Sequence, residues 1–388
     1  MRAFFSLFVM LVILAGCARP VEISTPSPFP ASPTVSSPSP TPSPISSPLL
    51  PAWTSSPILA HLTHLRLFDR RHGWMITDEA VYRVQDEALE SVTPPNLGEV
   101  GYSLIPYFLD LQHAWLLHSG ETLSEGTLYH TADGGMSWES LPVPFGMAEL
   151  VFLDADRGWA MASLGVGAGS SGIAIYQTTD AGHSWELRFV NDPSIQGARQ
   201  DIPLSGMKDG LAARDMQVAW VAGIVYTPLT PYLYVTHDGG QSWRLQNLPL
   251  PTAEADALFL FHPPIFLGDQ FAILTAEVLE QRMHTALYTS RDGGESWELL
   301  PTLLDGIGHF QAFSPQEWLF WNGTSFFSTS DGGQTWETRA PNQTFGDAFG
   351  GLQFLSPQEG FLWTIPAEAR TSLYHTLDGG LTWTLLNP

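Results

Sequence analysis

The sequence contains little that could cross-link the chain or bind polyanions. Its 388 residues include one cysteine, Cys17, and 16 basic residues against 39 acidic ones, and lysine is nearly absent. A single cysteine excludes an intramolecular disulfide, so stability must come from the size of the core and from repetition. The net charge of −23 disfavours nucleic acid and anionic lipid headgroups as ligands, because both would repel the chain.

Motifs for catalysis and cofactor binding are also missing. There is no phosphate-binding loop and no nucleophile motif, and we expect no cofactor. The one close histidine pair, His61 and His64, has no third ligand at a suitable spacing, so we expect no metal site. Five aspartates near strand starts are expected to be turn or cap residues, because nothing singles out a catalytic pair among them; they are Asp69, Asp110, Asp154, Asp156 and Asp215.

The composition favours a β-rich domain. Hydrophobic residues make up 44% of the chain and aromatic residues 12%, with 35 glycines and 31 prolines. This content is sufficient for a large core, and the frequency of glycine and proline predicts many short strands joined by turns.

The N-terminus resembles a bacterial lipoprotein signal peptide. Arg2 precedes an apolar run at residues 4–14, and residues 14–17 read Leu-Ala-Gly-Cys, which matches a lipobox. The resemblance implies cleavage before Cys17, lipidation of that residue and an extracytoplasmic location. Removal of residues 1–17 leaves 15 basic and 39 acidic residues, a net charge of −24. Ala18 follows the cysteine, which favours the outer membrane, or the outer face of the cytoplasmic membrane in a one-membrane bacterium.

A linker is expected between the anchor and the folded domain. Residues 20–51 contain 11 prolines, 9 serines and 3 threonines, and Glu22 is their only charged residue. Such a segment cannot bury a core and favours an extended polyproline-like chain. The predicted organisation is a signal peptide at residues 1–17, a disordered linker at 18–57 and a folded domain at 58–388.

Six copies of an eight-residue pattern organise the predicted domain. The pattern is Ser/Thr-x-Asp-Gly/Ala-Gly-x-Ser/Thr-Trp, with a clear example at residues 236–243. Each copy lies between two apolar runs and predicts a hairpin turn, in which the aspartate accepts backbone hydrogen bonds. The second glycine occurs in every copy, whereas Ala181 replaces the first in one copy. This difference predicts a positive φ at the second position.

The pattern resembles the Asp-box, or BNR, repeat, which implies a structural role for its residues. The tryptophan is expected to pack between neighbouring sheets. The predicted structural residues are Asp133, Gly135 and Trp138; Asp180, Gly182 and Trp185; Asp238, Gly240 and Trp243; Asp292, Gly294 and Trp297; Asp331, Gly333 and Trp336; and Asp378, Gly380 and Trp383.

Repeat spacing predicts an all-β, seven-bladed β-propeller. The box aspartates are 47, 58, 54, 39 and 47 residues apart, the spacing of four-stranded blades. A Gly-Trp-like pair precedes each box and also occurs once before the first box, at residues 73–74. We therefore expect a first blade whose box has eroded, and ring closure by pairing of both chain ends within one blade. The expected blades span 58–96, 100–144, 147–190, 207–250, 256–300, 307–340 and 346–388.

Three irregular segments are candidates for a partner-binding face. They are residues 191–206, a proline-containing hairpin tip from Tyr226 to Tyr232, and the stretch from Phe261 to Phe266. Insertions in repeat proteins often build the binding face, and Tyr226, Tyr232, Phe261 and Phe266 offer contact area. The alternative is that these segments are tolerated surface loops.

The whole pattern resembles the seven-bladed Asp-box family that includes photosystem II assembly and stability factors. This resemblance implies the fold and a protein-binding role. The scarcity of arginine departs from the basic face of the photosynthetic members, so the photosystem role is not carried over, and a basic protein or peptide partner is favoured. The alternative is a carbohydrate-active enzyme or glycan-binding module. Sialidases also carry Asp-boxes, but their Phe/Tyr-Arg-Ile-Pro start is absent, and the xyloglucan-active enzymes use two large propellers.

Overall fold

The computed structural model describes residues 52–56, 59, 62–86, 88–98, 100, 104–120, 122–345, 349–365 and 371–386. The predicted signal peptide, Cys17 and most of the predicted linker lie outside these residues. In the described part of the chain, the secondary structure consists of a 3-10 helix at Ala52–Ser55 and thirty β-strands. No helix found there has the length and apolar character needed to cross a membrane.

Four-stranded antiparallel sheets follow one another along the first half of the chain. Blade 1 contains β1 (Leu62–Leu67), β2 (His72–Thr77), β3 (Val81–Gln85) and β4 (Ala88–Ser91). Blade 2 contains β5 (Leu104–Phe108), β6 (Ala114–Ser119), β7 (Gly126–Thr131) and β8 (Glu139–Val143). Blade 3 contains β9 (Ala148–Phe152), β10 (Gly158–Gly167), β11 (Ser170–Thr178) and β12 (Glu186–Val190). Blade 4 contains β13 (Met207–Ala213), β14 (Ala219–Ile224), β15 (Leu233–Thr236) and β16 (Arg244–Leu245).

Three further sheets complete the series. Blade 5 has six strands, because its first strand is interrupted at residues 262–264 and a short segment is added at the edge: β17 (Leu258–Phe261), β18 (Ile265–Leu267), β19 (Phe271–Leu279), β20 (His284–Ser290), β21 (Glu298–Leu299) and β22 (Leu304–Asp305). Blade 6 contains β23 (His309–Ala312), β24 (Trp318–Trp321), β25 (Phe326–Thr329) and β26 (Glu337–Arg339). Blade 7 contains β27 (Phe349–Phe354), β28 (Gly360–Thr364), β29 (Ser372–Thr376) and β30 (Thr384–Leu385).

The core lies in the seams between neighbouring blades. Seven clusters of buried apolar side chains occur in the described residues, and each draws on two adjacent blades. The tryptophans of the Gly-Trp pairs supply much of this burial; Trp74, Trp115 and Trp159 are fully buried. The seventh cluster joins Phe361 of blade 7 to Leu65 of blade 1. The sheets therefore close into a ring, and the predicted seven-bladed β-propeller is confirmed.

Ring closure differs from the prediction. Every sheet is built from strands consecutive in sequence, so the chain ends do not share a blade within the described residues. Side chains close the seam instead. The Gln353 amide accepts from the Leu67 N–H at 2.8 Å and donates to the Leu67 carbonyl at 2.6 Å. Beside it, Arg70 donates two hydrogen bonds to the Glu359 carboxylate, at 2.6 and 2.7 Å, and His375 contacts the same carboxylate.

The predicted boundary between linker and propeller is also corrected, because Trp53 belongs to the core. Its ring lies 6.0 Å from that of Phe361, and its Nε1 donates to the Arg70 carbonyl at 3.3 Å. In the next seam, the ring of the Asp-box Trp138 lies at a similar distance, 6.3 Å, from that of Trp74. Blade 1 has no box, since β3 and β4 pair up to Gln85 and Ala88. Trp53 therefore occupies the seam position that an Asp-box tryptophan fills elsewhere.

Strand order assigns the connections to two faces. Because consecutive strands are antiparallel, the Asp-box turns share a face with the connections between first and second strands. The Gly134 N–H accordingly donates to the Gln112 carbonyl. The connections between second and third strands lie on the other face, together with those between blades. We call this second surface the hairpin face.

Candidate functional site on the hairpin face

The Asp-box carboxylates are occupied within their own turns. Asp133 accepts hydrogen bonds from the Ser137 hydroxyl (2.6 Å), the Ser137 N–H (2.9 Å) and the Thr131 hydroxyl (2.8 Å). Hydrogen bonds to the charged form stabilise it, and those from Ser137 in particular lower the pKa of Asp133 to about 2. The same arrangement recurs at Asp180, Asp238, Asp292, Asp331 and Asp378. These aspartates therefore hold the turns of their boxes.

The predicted positive φ is confirmed at Gly240, where it is +82°. The first box position is also left-handed, at +69° in Gly239 and +59° in Ala181. The two positions differ in what a side chain would meet. A Cβ on Gly294 would lie 2.6 Å from the Trp220 ring, whereas a Cβ on Gly332, a first-position glycine, would meet only the Pro315 carbonyl oxygen, at 3.2 Å. This difference agrees with the alanine found at the first position of the blade 3 box. The other second-position glycines, all at positive φ, are Gly135, Gly182, Gly333 and Gly380.

Five of the six box tryptophans satisfy their indole N–H with a backbone carbonyl. Trp138 donates to Val92 across the seam at 2.7 Å. Trp185, Trp243, Trp336 and Trp383 donate to the second glycine of their own box. The Trp297 Nε1 has no partner among the described residues. The rings pack in the seams, as the sequence predicts for Trp243 and its counterparts.

Four predicted turn aspartates lie in the connections on the Asp-box face. Asp69, Asp110, Asp154 and Asp215 each accept two backbone N–H groups from residues two and three positions later. Asp156 provides one of these N–H groups to Asp154. The predicted turn role is confirmed for the four. No three His, Cys, Asp or Glu side chains in the described part of the chain are arranged to hold a metal.

The candidate partner residues separate into exposed and buried ones. Tyr226 is 45% exposed at the tip of the blade 4 hairpin. Tyr232 is buried, and its hydroxyl donates to the Ser205 carbonyl at 3.1 Å. Phe261 is buried between blades 4 and 5, and the half-buried Phe266 packs against Trp220 with centroids 5.0 Å apart. The expectation that Tyr232 and Phe261 contact a partner is therefore corrected, because both rings fill the core.

Residues 191–206 are a packed part of the hairpin face. Asn191 and Ile202 are fully buried. The segment is fixed by Lys208, the only lysine of the chain. Its Nζ lies 2.6–3.3 Å from five backbone carbonyls, which belong to Ser171, Pro203, Leu204, Ser205 and Gly206. Sequence reasoning missed Lys208; its rarity was the available signal.

Exposed apolar side chains gather on the hairpin tips of blades 2 to 5. They are Leu123, Val166, Tyr226, Leu229 and Met283, each 39–51% exposed. Neighbouring tips approach one another. A Cβ on Gly169 would lie 3.1 Å from the Tyr226 ring, and one on Gly165 would lie 4.0 Å from Leu123. A run of exposed apolar tips is typical of an interaction surface.

Titratable side chains lie beside the first strands of blades 3 and 4, β9 and β13, which contact each other and form part of the inner wall of the ring. Glu149 of β9 accepts the Leu211 N–H at 2.8 Å. Its side chain is open to solvent, yet the surrounding wall reduces its hydration and raises its pKa to about 7, with a further contribution from Asp209. His262 Nδ1 lies 2.8 Å from Asp209, and its Nε2 lies 3.4 Å from Glu277. Desolvation opposes the charge on His262, but the two carboxylates outweigh it and raise its pKa to about 10.

Comparisons with known proteins agree with this geometry. The BNR/Asp-box repeat family matches residues 288–299. The structure described as YCF48 bound to D1 peptide is 20% identical, with a TM-score of 0.52, and the match covers 86% of this chain and 99% of that one. The fold is that of a seven-bladed Asp-box propeller.

Other comparisons extend the range of similar propellers. The GH74 xyloglucanase from Xanthomonas campestris is 14% identical with a TM-score of 0.53, and the match covers 84% of this chain and 54% of the enzyme. The chain thus spans about half of that enzyme's length. No curated protein matches the chain. At these identities the solved structures share the fold of this Asp-box propeller.

Proposed function

We propose that this chain is a lipid-anchored, extracytoplasmic propeller that binds a protein or peptide on its hairpin face and catalyses no reaction. The observation that carries the proposal is the run of exposed apolar tips on blades 2 to 5. These side chains lie on short connections between paired strands, which limits the ordering required when a partner binds. The Asp-box carboxylates, by contrast, are engaged in their own turns.

A peptide ligand is supported by a relative of the same fold. YCF48 is described as bound to a D1 peptide, and we propose that this chain also recognises a peptide. The net charge of −23 favours a basic partner, because complementary charge accelerates association and disfavours acidic competitors.

The anchor is supported by the sequence of residues 14–17, Leu-Ala-Gly-Cys. Lipidation at Cys17 would hold the protein at the membrane, since several acyl chains together give stable binding where one is marginal. The Pro/Ser/Thr segment after it would present the propeller to partners outside the cytoplasm.

Crosslinking in native membranes tests the binding face. The wild-type protein is compared with Val166→Asp on the hairpin face and Met136→Asp on the Asp-box face, where Met136 is 80% exposed. We expect Val166→Asp to lose the crosslinked partner and Met136→Asp to retain it, with both melting points near the wild-type value. Equal capture by the two variants would exclude the hairpin face.

A carbohydrate-active enzyme is the second candidate, and Glu149 is the observation in its favour. A carboxyl group with a pKa near 7 beside a second carboxylate, here Asp209, is a common arrangement for acid and base catalysis. Turnover of xyloglucan or sialyl reporter substrates that is lost in Glu149→Gln would support the enzyme and contradict the scaffold.

A further inference from the structure

We propose that an extended segment of a partner protein pairs with the free edge of β10 and lays an arginine or lysine side chain across the hairpin towards Asp192. This inference rests on the proposed function and specifies its ligand. It combines an unpaired strand edge, an open sheet surface and a carboxylate at the end of that surface.

The free edge arises because β10 is longer than β9, the strand beside it on the inner side of the blade. β9 pairs with β10 only as far as Ala162, and β10 continues to Gly167. Val166 and Ser171 lie opposite each other in the projecting hairpin. The Ser171 N–H does not bond to Val166 but donates to the carbonyls of Leu204 and Gly206. Because opposite residues in an antiparallel pair orient their backbone groups alike, the N–H and C=O of Val166 also point away from the hairpin. On the opposite edge, the Val166 N–H and C=O have no partner among the described residues. An unpaired edge with an exposed side chain is a template for strand addition.

The sheet surface beside this edge is open. Gly165, Gly167, Ser170 and Gly172, together with Leu164, line a shallow depression whose other wall includes Asp192 and Leu204. Neither the backbone conformation nor the packing at position 167 requires a glycine. Its φ is not left-handed, and a Cβ there would meet no atom within 4 Å. Glycine within a strand is typical of sites where another chain approaches closely.

Asp192 supplies the charge at the far side of this surface. Its Oδ1 accepts the Ser194 N–H and hydroxyl at 2.8 and 2.7 Å, and its Oδ2 has no partner in the described part of the chain. These bonds from Ser194 lower the pKa of Asp192, so the carboxylate is charged at neutral pH. The excess of 39 acidic over 16 basic residues in the chain also favours a cationic ligand.

The dimensions suit a long basic side chain. A strand added beside β10 would lie two strand spacings, about 9.5 Å, from β11, whose Gly172 would place a Cβ 3.9 Å from that of Asp192. Arginine and lysine extend their aliphatic stems along such a surface while the charged head reaches a carboxylate. A side chain at position 167 would stand in this path.

A labelled peptide tests the ligand chemistry. The probe is fluorescein-labelled Thr-Val-Arg-Val-Thr amide, and the references replace its arginine with glutamine or methylate its valine amides. We expect the glutamine peptide to bind about two- to fivefold more weakly, as loss of one solvent-exposed charged pair predicts, and the methylated peptide to lose binding. No detectable binding of the arginine peptide, or equal binding of all three, would overturn the proposal.

Variants of the protein locate the site. Gly167→Leu and Asp192→Asn should reduce binding of the arginine peptide to the level of the glutamine peptide, with melting points unchanged. Met136→Leu on the Asp-box face is the control, because it places the same leucine side chain at an exposed position away from the hairpin, and it should bind as the wild type does. Undiminished binding by Gly167→Leu would overturn the proposed path.

The same variants separate this inference from the proposed function. If Gly167→Leu still captures the native partner by crosslinking while Val166→Asp does not, the hairpin face binds a partner but not in this mode. If the wild-type protein captures no partner, the scaffold function itself fails.

Discussion

The two glycines of an Asp-box should differ in their tolerance of a methyl group, and blade 6 offers a matched pair. Gly332 and Gly333 have φ values of +72° and +83°, so alanine at either position carries the left-handed strain of about 1–2 kcal/mol. A Cβ at Gly332 would lie 3.2 Å from the Pro315 carbonyl oxygen. A Cβ at Gly333 would lie 2.7 Å from both Leu300 and the Trp318 ring.

Overpacking of this kind adds about 1–3 kcal/mol. We therefore expect Gly332→Ala to lower the free energy of unfolding by about 1–2 kcal/mol, and Gly333→Ala by roughly 2–5 kcal/mol, the sum of both effects. Urea unfolding followed by the fluorescence of the 14 tryptophans measures the difference. Equal losses in the two variants would show that contact with the seam does not determine the glycine, and would refute the reasoning. The natural alanine at position 181, at +59°, already indicates that the first position tolerates the methyl group.

Three further predictions follow from the seam, the turns and the anchor. Trp53→Ala should lower the free energy of unfolding by about 3–5 kcal/mol, as for other buried tryptophans, and Trp53→Phe by less; a loss below that of an exposed-residue control would contradict its place in the ring. The pKa of Asp133 and Asp331 is held at about 2 in the fold, below the usual 3.8. The stability they contribute is therefore complete above about pH 4 and lost as the pH falls towards 2; urea midpoints across this range should decline less in Asp331→Asn. Cys17→Ser should move the protein from the detergent phase to the soluble fraction, and an unchanged membrane fraction would disprove lipidation.

The repeats could be predicted because each one is a local signal. Asp238, Gly240 and Trp243 lie within six residues, and their turn forms from contacts inside the eight-residue box at 236–243. The seven blades follow from counting such turns together with the Gly-Trp pairs. The positive φ at Gly240 could be predicted for the same reason, since it depends on one turn repeated six times.

The features that depend on distant parts of the chain could not be predicted. Trp53 reads as the end of a proline-rich linker, but it packs against Phe361, more than 300 residues later. Closure through Gln353 and Leu67 likewise involves residues 286 positions apart. Tyr232 and Phe261 are aromatic residues in irregular stretches, which resemble binding tips in sequence. Their burial depends on the packing of residues 203–205 and of blade 5, which no local pattern encodes.

The two faces of the ring are under different constraints, and this difference favours the hairpin face for the proposed binding. On the Asp-box face, each of the six box turns requires an acceptor carboxylate, a left-handed glycine against a packed side chain and a tryptophan in the seam, so a change disrupts packing between blades. On the hairpin face, the connections range from a two-residue turn at residues 168–169 to the packed 191–206 segment. Only their ends are fixed by the sheets, so they can carry exposed side chains such as Val166 and Tyr226 at little cost to the fold. A partner-binding surface can therefore evolve on the hairpin face while the Asp-boxes preserve the ring.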